Sequence, residues 1–244
     1  MTAPAIETNG LTRRYGALTA VDHLNIRVEK GELFALLGVN GAGKTTTIRM
    51  LCCLTKPTEG DATLSGASIV REPMHVKEKI GVSPQETAVA ANLTAEENLR
   101  LMCGMHGLSR AETDEKVRAL SQRFHLNEVL SRRAGKLSGG WQRRLSIAMA
   151  LVSDPEILFL DEPTLGLDVI ARSELWDVIR DMKGHATIIL TTHYMEEAEA
   201  LSDRVGVMKD GRLLALGTPG ALKAQTGQEK FEDAFIAIVR GVSK

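Results

Sequence analysis

Apolar positions along the chain fall into two textures. Leu33-Phe34-Ala35-Leu36-Leu37, Ile157-Leu158-Phe159-Leu160 and Thr187-Ile188-Ile189-Leu190-Thr191-Thr192 are unbroken apolar or β-branched runs. Runs of this length predict strands covered on both faces, as in a parallel sheet. Ile6 to Leu11 and Leu24 to Val28 read as shorter strands, and Asp61 to Ile69 as a strand hairpin bending near Gly66. Val205-Gly206-Val207-Met208 and Leu213-Leu214-Ala215-Leu216 flank Lys209-Asp210-Gly211-Arg212, a hairpin with an Asp-Gly turn.

The second texture is helical. A helix is predicted from Thr45 to about Leu54, ahead of the Pro57-Thr58-Glu59-Gly60 turn. From about Ala88 to Ser153 the chain reads as an all-helical insert. Thr94-Ala95-Glu96-Glu97 has capping-box spacing before Leu99, Leu101, Met102 and Met105, and Ser109-Arg110-Ala111-Glu112 repeats it before Val117, Leu120 and Phe124. Asp168 can cap a helix containing Leu175, Trp176, Val178, Ile179 and Met182, closed by Gly184. Strands alternating with helices imply an α/β fold with a mostly parallel sheet.

Composition narrows the classes. With 244 residues, 43% hydrophobic and 25% charged, the chain is long enough to bury a core as one domain with a subdomain. A net charge of −1 supplies no global basic field for nucleic acid. Cys52, Cys53 and Cys103 lack disulfide or zinc-ligand spacing and read as small apolar residues in a reducing compartment. Met1 to Gly10 has no secretion-signal pattern, and no apolar run approaches the ~18 residues that cross a bilayer. Any spanning part is therefore expected on another chain.

Gly38-Val39-Asn40-Gly41-Ala42-Gly43-Lys44-Thr45 follows a buried strand and opens a helix, the context of a phosphate loop. Gly41 and Gly43 let the backbone approach phosphate oxygens, and the N–H groups and helix N-terminus favour negative charge. Lys44 would reach the β- and γ-phosphates, and the Thr45 hydroxyl would ligate Mg2+. Asp161 and Glu162 end a buried strand, and parallel sheets bind ligands at strand carboxyl ends. Asp161 is positioned to hold Mg2+ and Glu162 to polarise the attacking water. His193 ends another strand, where an imidazole either makes a structural hydrogen bond or donates to the γ-phosphate or the water. Ser138-Gly139-Gly140 opens a helix and is read as either a second anion site or a flexible cap.

Taken together with Gln85 in Gly81-Val82-Ser83-Pro84-Gln85, the Leu137-Ser138-Gly139-Gly140-Trp141-Gln142 segment and Leu167-Asp168, these motifs resemble an ATP-binding cassette (ABC) ATPase over about residues 4 to 220. The resemblance implies a P-loop NTPase fold with a mostly parallel RecA-like sheet core, an antiparallel β-subdomain and an inserted α-helical subdomain. It divides the chain into a cassette, 1–220, with a helical insert at about 88–153, and a C-terminal helical tail, 221–244. Two cassettes would stack head to tail, with ATP between one copy's phosphate loop (Gly38, Asn40, Gly41, Ala42, Gly43, Lys44, Thr45, Thr46) and the other's signature. Ser138, Gly139 and Gly140 would then meet the γ-phosphate across the interface, and Asp168 would belong to a loop coupling the two sites. Gln85 would touch Mg2+ and the water, and Tyr15 would stack on adenine unless it is a plain strand-end tyrosine. Val39 stands where many cassettes have proline, and Trp141 where many have glutamine; neither removes a γ-phosphate contact.

The expected function is the ATPase subunit of a transporter, at the cytoplasmic face of the membrane through a separate permease and soluble when isolated. A groove near Gln85 to Met105 would receive the permease, lined in part by Leu93, Leu99, Met102 and Met105, although core packing accounts for most of these. Phe231, Phe235, Ile238 and Val239 form an amphipathic stripe that either docks on its own cassette or serves elsewhere. The Lys230–Phe235 stretch is similar to tails of drug, lipid or sodium exporter cassettes, which favours export. The alternative is a soluble cassette acting on ribosomes or DNA. Against it stand the single cassette and the absence of sustained heptads; the basic runs Arg132-Arg133 and Arg143-Arg144 are short and flank the signature.

Overall fold

The computed structural model describes residues 3–241; Met1, Thr2 and residues 242–244, the extremities of the expected cassette and tail, lie outside it. The central sheet has six strands in the order β11-β10-β4-β9-β8-β7. These are β4 (Leu33–Gly38), β7 (Ile80–Ser83), β8 (Ile157–Asp161), β9 (Thr187–Thr192), β10 (Arg204–Lys209) and β11 (Arg212–Gly217). All neighbours pair parallel except β10 and β11, which form the hairpin. Every residue of β4, β8 and β9 is buried, which is why the sequence shows unbroken apolar runs there.

A second, antiparallel sheet is built from β1 (Ile6–Tyr15), β2 (Leu18–Leu24), β5 (Glu59–Leu64) and β6 (Ala67–Ser68), with β3 (Arg27–Val28) on β1. Here the chain departs from expectation. The strand anticipated at Leu24 to Val28 is split: β2 ends at Leu24 and β3 starts at Arg27, with Asn25 bonding back to the His23 carbonyl. The β1–β2 hairpin was not legible because β2 carries Thr19, Asp22 and His23 on a half-covered strand. Helix α1 (Lys44–Leu51) stops short of Leu54, because Cys53 adopts a left-handed conformation (φ 56°).

The side-chain alternation of the buried strands sorts them onto two sides. Phe34, Leu36, Phe159 and Ile189 face the antiparallel sheet and α1. Leu158, Leu160, Ile188 and Leu190 face the helices α3 (Ala95–Met105), α4 (Arg110–Arg123), α5 (Gly139–Ala150) and α6 (Val169–Asp181). Both capping boxes form as spaced: the Thr94 and Ser109 hydroxyls accept from the Glu97 and Glu112 amides, and each glutamate carboxylate accepts from its cap residue's amide. α2 (Pro73–Lys79) and α7 (Met195–Leu201) are seven-residue helices, too short for a periodic signal. Of the four apolar residues proposed for a groove, Leu99 is fully buried, Leu93 and Met102 are half-buried, and Met105 is exposed. No helix among the described residues is long and apolar enough to cross a membrane.

After α8 (Pro219–Thr226), α9 (Phe231–Arg240) lays its stripe on the cassette itself. Phe231 and Phe235 are buried with Ala198, Leu222, Val205 and Val207, and Ile238 and Val239 pack at the margin. The Lys209 ammonium donates to the Val239 carbonyl at 2.9 Å. Phe231→Ala should therefore cost about 3 kcal/mol of stability, as large-to-small changes in packed cores do. Urea unfolding of the two proteins measures this, and an unchanged midpoint would contradict the docking.

Candidate active site

The parallel pairing brings strand ends level. Leu37 at the end of β4 pairs with Thr192, and Asp161 at the end of β8 pairs with Thr191. The loop after β4 is shaped by two tight approaches. A Cβ on Gly38 would lie 2.4 Å from the Met208 carbonyl oxygen, and one on Gly43 (φ 102°) would lie 2.4 Å from that of Ala20. Only glycine fits at either position.

Beyond the loop opens a cavity of about 650 Å3. Asn40, Gly41, Ala42, Gly43, Lys44, Thr45 and Thr46 line its floor, and Gln85, Glu162 and His193 its side. Tyr15 also lines it, with Leu18, Thr19 and Ala20 of β2. Those β2 residues, with Leu165 and Asp210, were missed because neither their type nor their spacing signals a ligand. Tyr15 is 45% exposed, and the Arg13 guanidinium covers one ring face at 4.4 Å, leaving a single face free for stacking.

Lys44, Glu162 and His193 form a connected polar group at the cavity. The Lys44 ammonium donates to the Gly38 carbonyl at 2.8 Å and lies 3.2 Å from Glu162 Oε1. The other Glu162 oxygen, Oε2, is 2.5 Å from His193 Nδ1. Lys44 and Glu162 are both buried, so each requires the other or a replacement partner. Glu162 itself has a left-handed backbone (φ 49°), and its amide donates to the Thr191 carbonyl and hydroxyl, both at 3.1 Å. That bonding offsets a conformation unfavourable for glutamate. Asp161 Oδ1 accepts from the Thr45 hydroxyl at 3.3 Å and the Thr191 hydroxyl at 2.5 Å. Thr45 and Asp161 thus present converging oxygens, the hard donor type that suits Mg2+.

Gly38 and Asp161 do not line the cavity themselves but bond to Lys44 and Thr45, which do, and two further groups of expected residues stand apart from it. Ser138, Gly139 and Gly140 do not line it, and neither does Asp168. Ser138 is the N-cap of α5, yet its hydroxyl makes no capping bond, unlike those of Thr94, Ser109 and Thr218. Asp168 caps α6 by accepting from the Ala171 amide at 2.9 Å. The two meet: Leu167 Cδ2 lies 3.7 Å from where a Gly139 Cβ would be, and Ala171 Cβ lies 3.2 Å from the same point on Gly140.

A family model described as ABC transporter matches residues 21–165. The chain belongs to the ABC transporter family. Among its relatives are the probable multidrug ABC transporter ATP-binding protein YbhF of Escherichia coli, 40% identical over 98% of this chain, and the daunorubicin/doxorubicin resistance ATP-binding protein DrrA of Streptomyces peucetius, 43% identical over 91%. The Nod factor export ATP-binding protein I of Paraburkholderia xenovorans is 43% identical over 92%. The chain spans 42% of YbhF, 68% of that DrrA and 74% of the Nod factor protein. A solved ATP-binding subunit of an ABC transporter superposes at TM-score 0.85 with 30% identity, covering 96% of this chain and 99% of that one.

One further residue of this ABC cassette escaped the sequence analysis. Glu197, on α7, is fully buried, and its Oε1 accepts from the Thr164 hydroxyl at 2.8 Å and the Trp176 indole N–H at 3.1 Å. Its Oε2 has no hydrogen-bond partner among the described residues. It joins the loop after Glu162, the middle of α6 and the helix after His193. In sequence it is one of three glutamates within Glu196-Glu197-Ala198-Glu199, which reads as a solvated face. Burial pushes its pKa above 4.5, the nearby Thr192 hydroxyl and the hydrogen bonds from Thr164 and Trp176 oppose this, and the charge of Glu162 adds to the rise.

The folded protein thus holds the Glu197 proton more tightly than the unfolded chain does. The group favours folding fully below pH 4.5 and progressively less as pH rises toward its folded pKa. Glu197→Gln mimics the protonated acid and does not titrate. Relative to the unsubstituted protein, its melting temperature should climb as pH is raised from 4.5 into the neutral range. A constant difference across that range in thermal melts would show that Glu197 does not titrate there.

Proposed function

We propose that this chain is the ATP-hydrolysing subunit of an exporter, working as a head-to-tail pair of copies on a separate membrane-spanning permease. The observation carrying this reading is the division of the anion-seeking elements. One copy has a phosphate cavity furnished by Lys44, Thr45, Glu162 and His193, while its Ser138 hydroxyl, free of capping, opens a helix outside that cavity. A second copy facing the opposite way would bring Ser138, Gly139 and Gly140 over the γ-phosphate and Asp168 alongside. The exporter direction draws on the drug-resistance and export names of the relatives.

On this reading Lys44 leaves Glu162 for the β- and γ-phosphates when nucleotide binds, because the phosphates offer more negative charge at the same place. Glu162, relieved of Lys44, then accepts a hydrogen bond from the attacking water. His193 keeps Glu162 oriented through Nδ1 and holds its remaining ring nitrogen toward the γ-phosphate. Thr45, Asp161 and Gln85 would hold Mg2+, which supplies charge neutralisation on the phosphate oxygens. Adenine would stack on the open face of Tyr15. Closure of the pair on ATP and its opening after hydrolysis would pass a rigid-body movement to the permease.

Glu162→Gln should abolish hydrolysis while leaving ATP binding intact and trapping a dimer on size exclusion. Turnover near the unsubstituted rate would show that the water is positioned otherwise. Ser138→Arg should block hydrolysis without weakening nucleotide binding to the monomer, and equal loss of monomer binding would remove the signature from the interface. Co-purification in detergent with a polytopic membrane protein tests the transport role; recovery with ribosomes or DNA instead would refute it.

A further inference from the structure

Helix α5 is laced along the segment that carries Gln85. A Cβ on Gly81 would lie 2.2 Å from the Ala150 carbonyl oxygen, so the strand and the last turn of the helix touch backbone to backbone. One turn back, the Ser146 and Ser83 hydroxyls meet at 3.1 Å. One turn further back, Arg143 Nη1 donates to the Pro84 carbonyl at 2.6 Å and Nη2 to the Gln85 carbonyl at 2.5 Å. The rungs at 150, 146 and 143 follow one helical face, and they climb the chain from Gly81 to Gln85 in the opposite direction. β7 ends at Ser83, so Arg143 is the rung that holds the chain once strand pairing has stopped.

Arg143 is only 4% exposed, and among the described residues its guanidinium bonds to these carbonyls and to no carboxylate. Burial disfavours its charge, opposed by the more distant carboxylates of Asp161 and Glu197. A guanidinium placed here at that cost aims a separate nitrogen of its planar fork at each of two consecutive carbonyls, whereas an ammonium would have to reach both from one nitrogen.

We propose that Arg143 is a positioning residue for Gln85, clamping its backbone to the helix whose first turn is the Ser138-Gly139-Gly140 signature. The placement of Gln85 in a copy's own cavity and the aim of that copy's signature at the opposite cavity then form one movement. This rests on the head-to-tail ATPase reading above.

The test uses the whole chain with Arg143→Gln and Arg143→Lys, alone and combined with Gln85→Ala. In the nucleotide-free protein, amide hydrogen exchange over residues 85–89 should quicken at least about tenfold in Arg143→Gln and less in Arg143→Lys, which keeps the charge on a single donor nitrogen. Monomer affinity for ATP should stay within about twofold, while kcat falls at least about tenfold. In the Gln85→Ala background, Arg143→Gln should lower kcat by less than about twofold more, because both act through one group. Unchanged exchange, or a full additional loss of kcat beside Gln85→Ala, overturns the clamp. An unsubstituted protein that does not hydrolyse ATP would instead overturn the ATPase reading, and the exchange measurement would still decide the role of Arg143. If Arg143→Gln fails to fold, Arg143→Lys carries both measurements.

Discussion

The parallel register of β4, β9 and β8 is the constraint on which the site depends. Pairing Leu37 with Thr192 and Asp161 with Thr191 stops three strands at one level. Three loops then leave side by side, bearing Lys44, the Asp161-Glu162 pair and His193. A slip of one residue in any of these ladders would reverse the faces of that strand, putting Leu158 and Leu160 where Phe159 now packs. Core packing on both sides of the sheet therefore holds the chemistry in register.

Charge is handled locally within that frame. Lys44, Asp161 and Glu162 are all buried, and each is neutralised or hydrogen-bonded by a neighbour from a different strand end. The backbone of Glu162 is held in an unfavourable conformation by two acceptor atoms of one threonine, Thr191. Glu197 and Arg143 extend the buried polar set beneath the cavity, one tying together the loops around Glu162 and His193, the other reaching Gln85. The arrangement couples cavity-lining residues to the helical layer through hydrogen bonds rather than through apolar contact alone.

How much could be read in advance follows from the range of each interaction. The phosphate loop was legible because its demands are local: glycines at tight approaches, a lysine, a hydroxyl, then a helix. The capping boxes were legible for the same reason, since donor and acceptor lie three residues apart. Glu197 was hidden because an acidic triplet on a short helix looks solvated until α6 and the Thr164 loop cover it. β2 was hidden because its polar residues border the cavity instead of alternating with a core. The stripe of Phe231 and Phe235 was visible, whereas its docking against Val205, Val207 and Leu222 required the fold.

The glycine loop ending in Lys44 and Thr45, the acids and histidine at strand ends, and the likeness to a cassette family were all legible from residues adjacent in the chain, because those features rest on neighbours. Only the tertiary structure decided that β4 lies between β10 and β9, that Lys44 faces Glu162, and that Ser138 opens a helix outside the cavity. Sheet order and helix docking arise from contacts between residues far apart in sequence, and a local pattern of apolar and polar positions carries no record of which distant partner each face will meet.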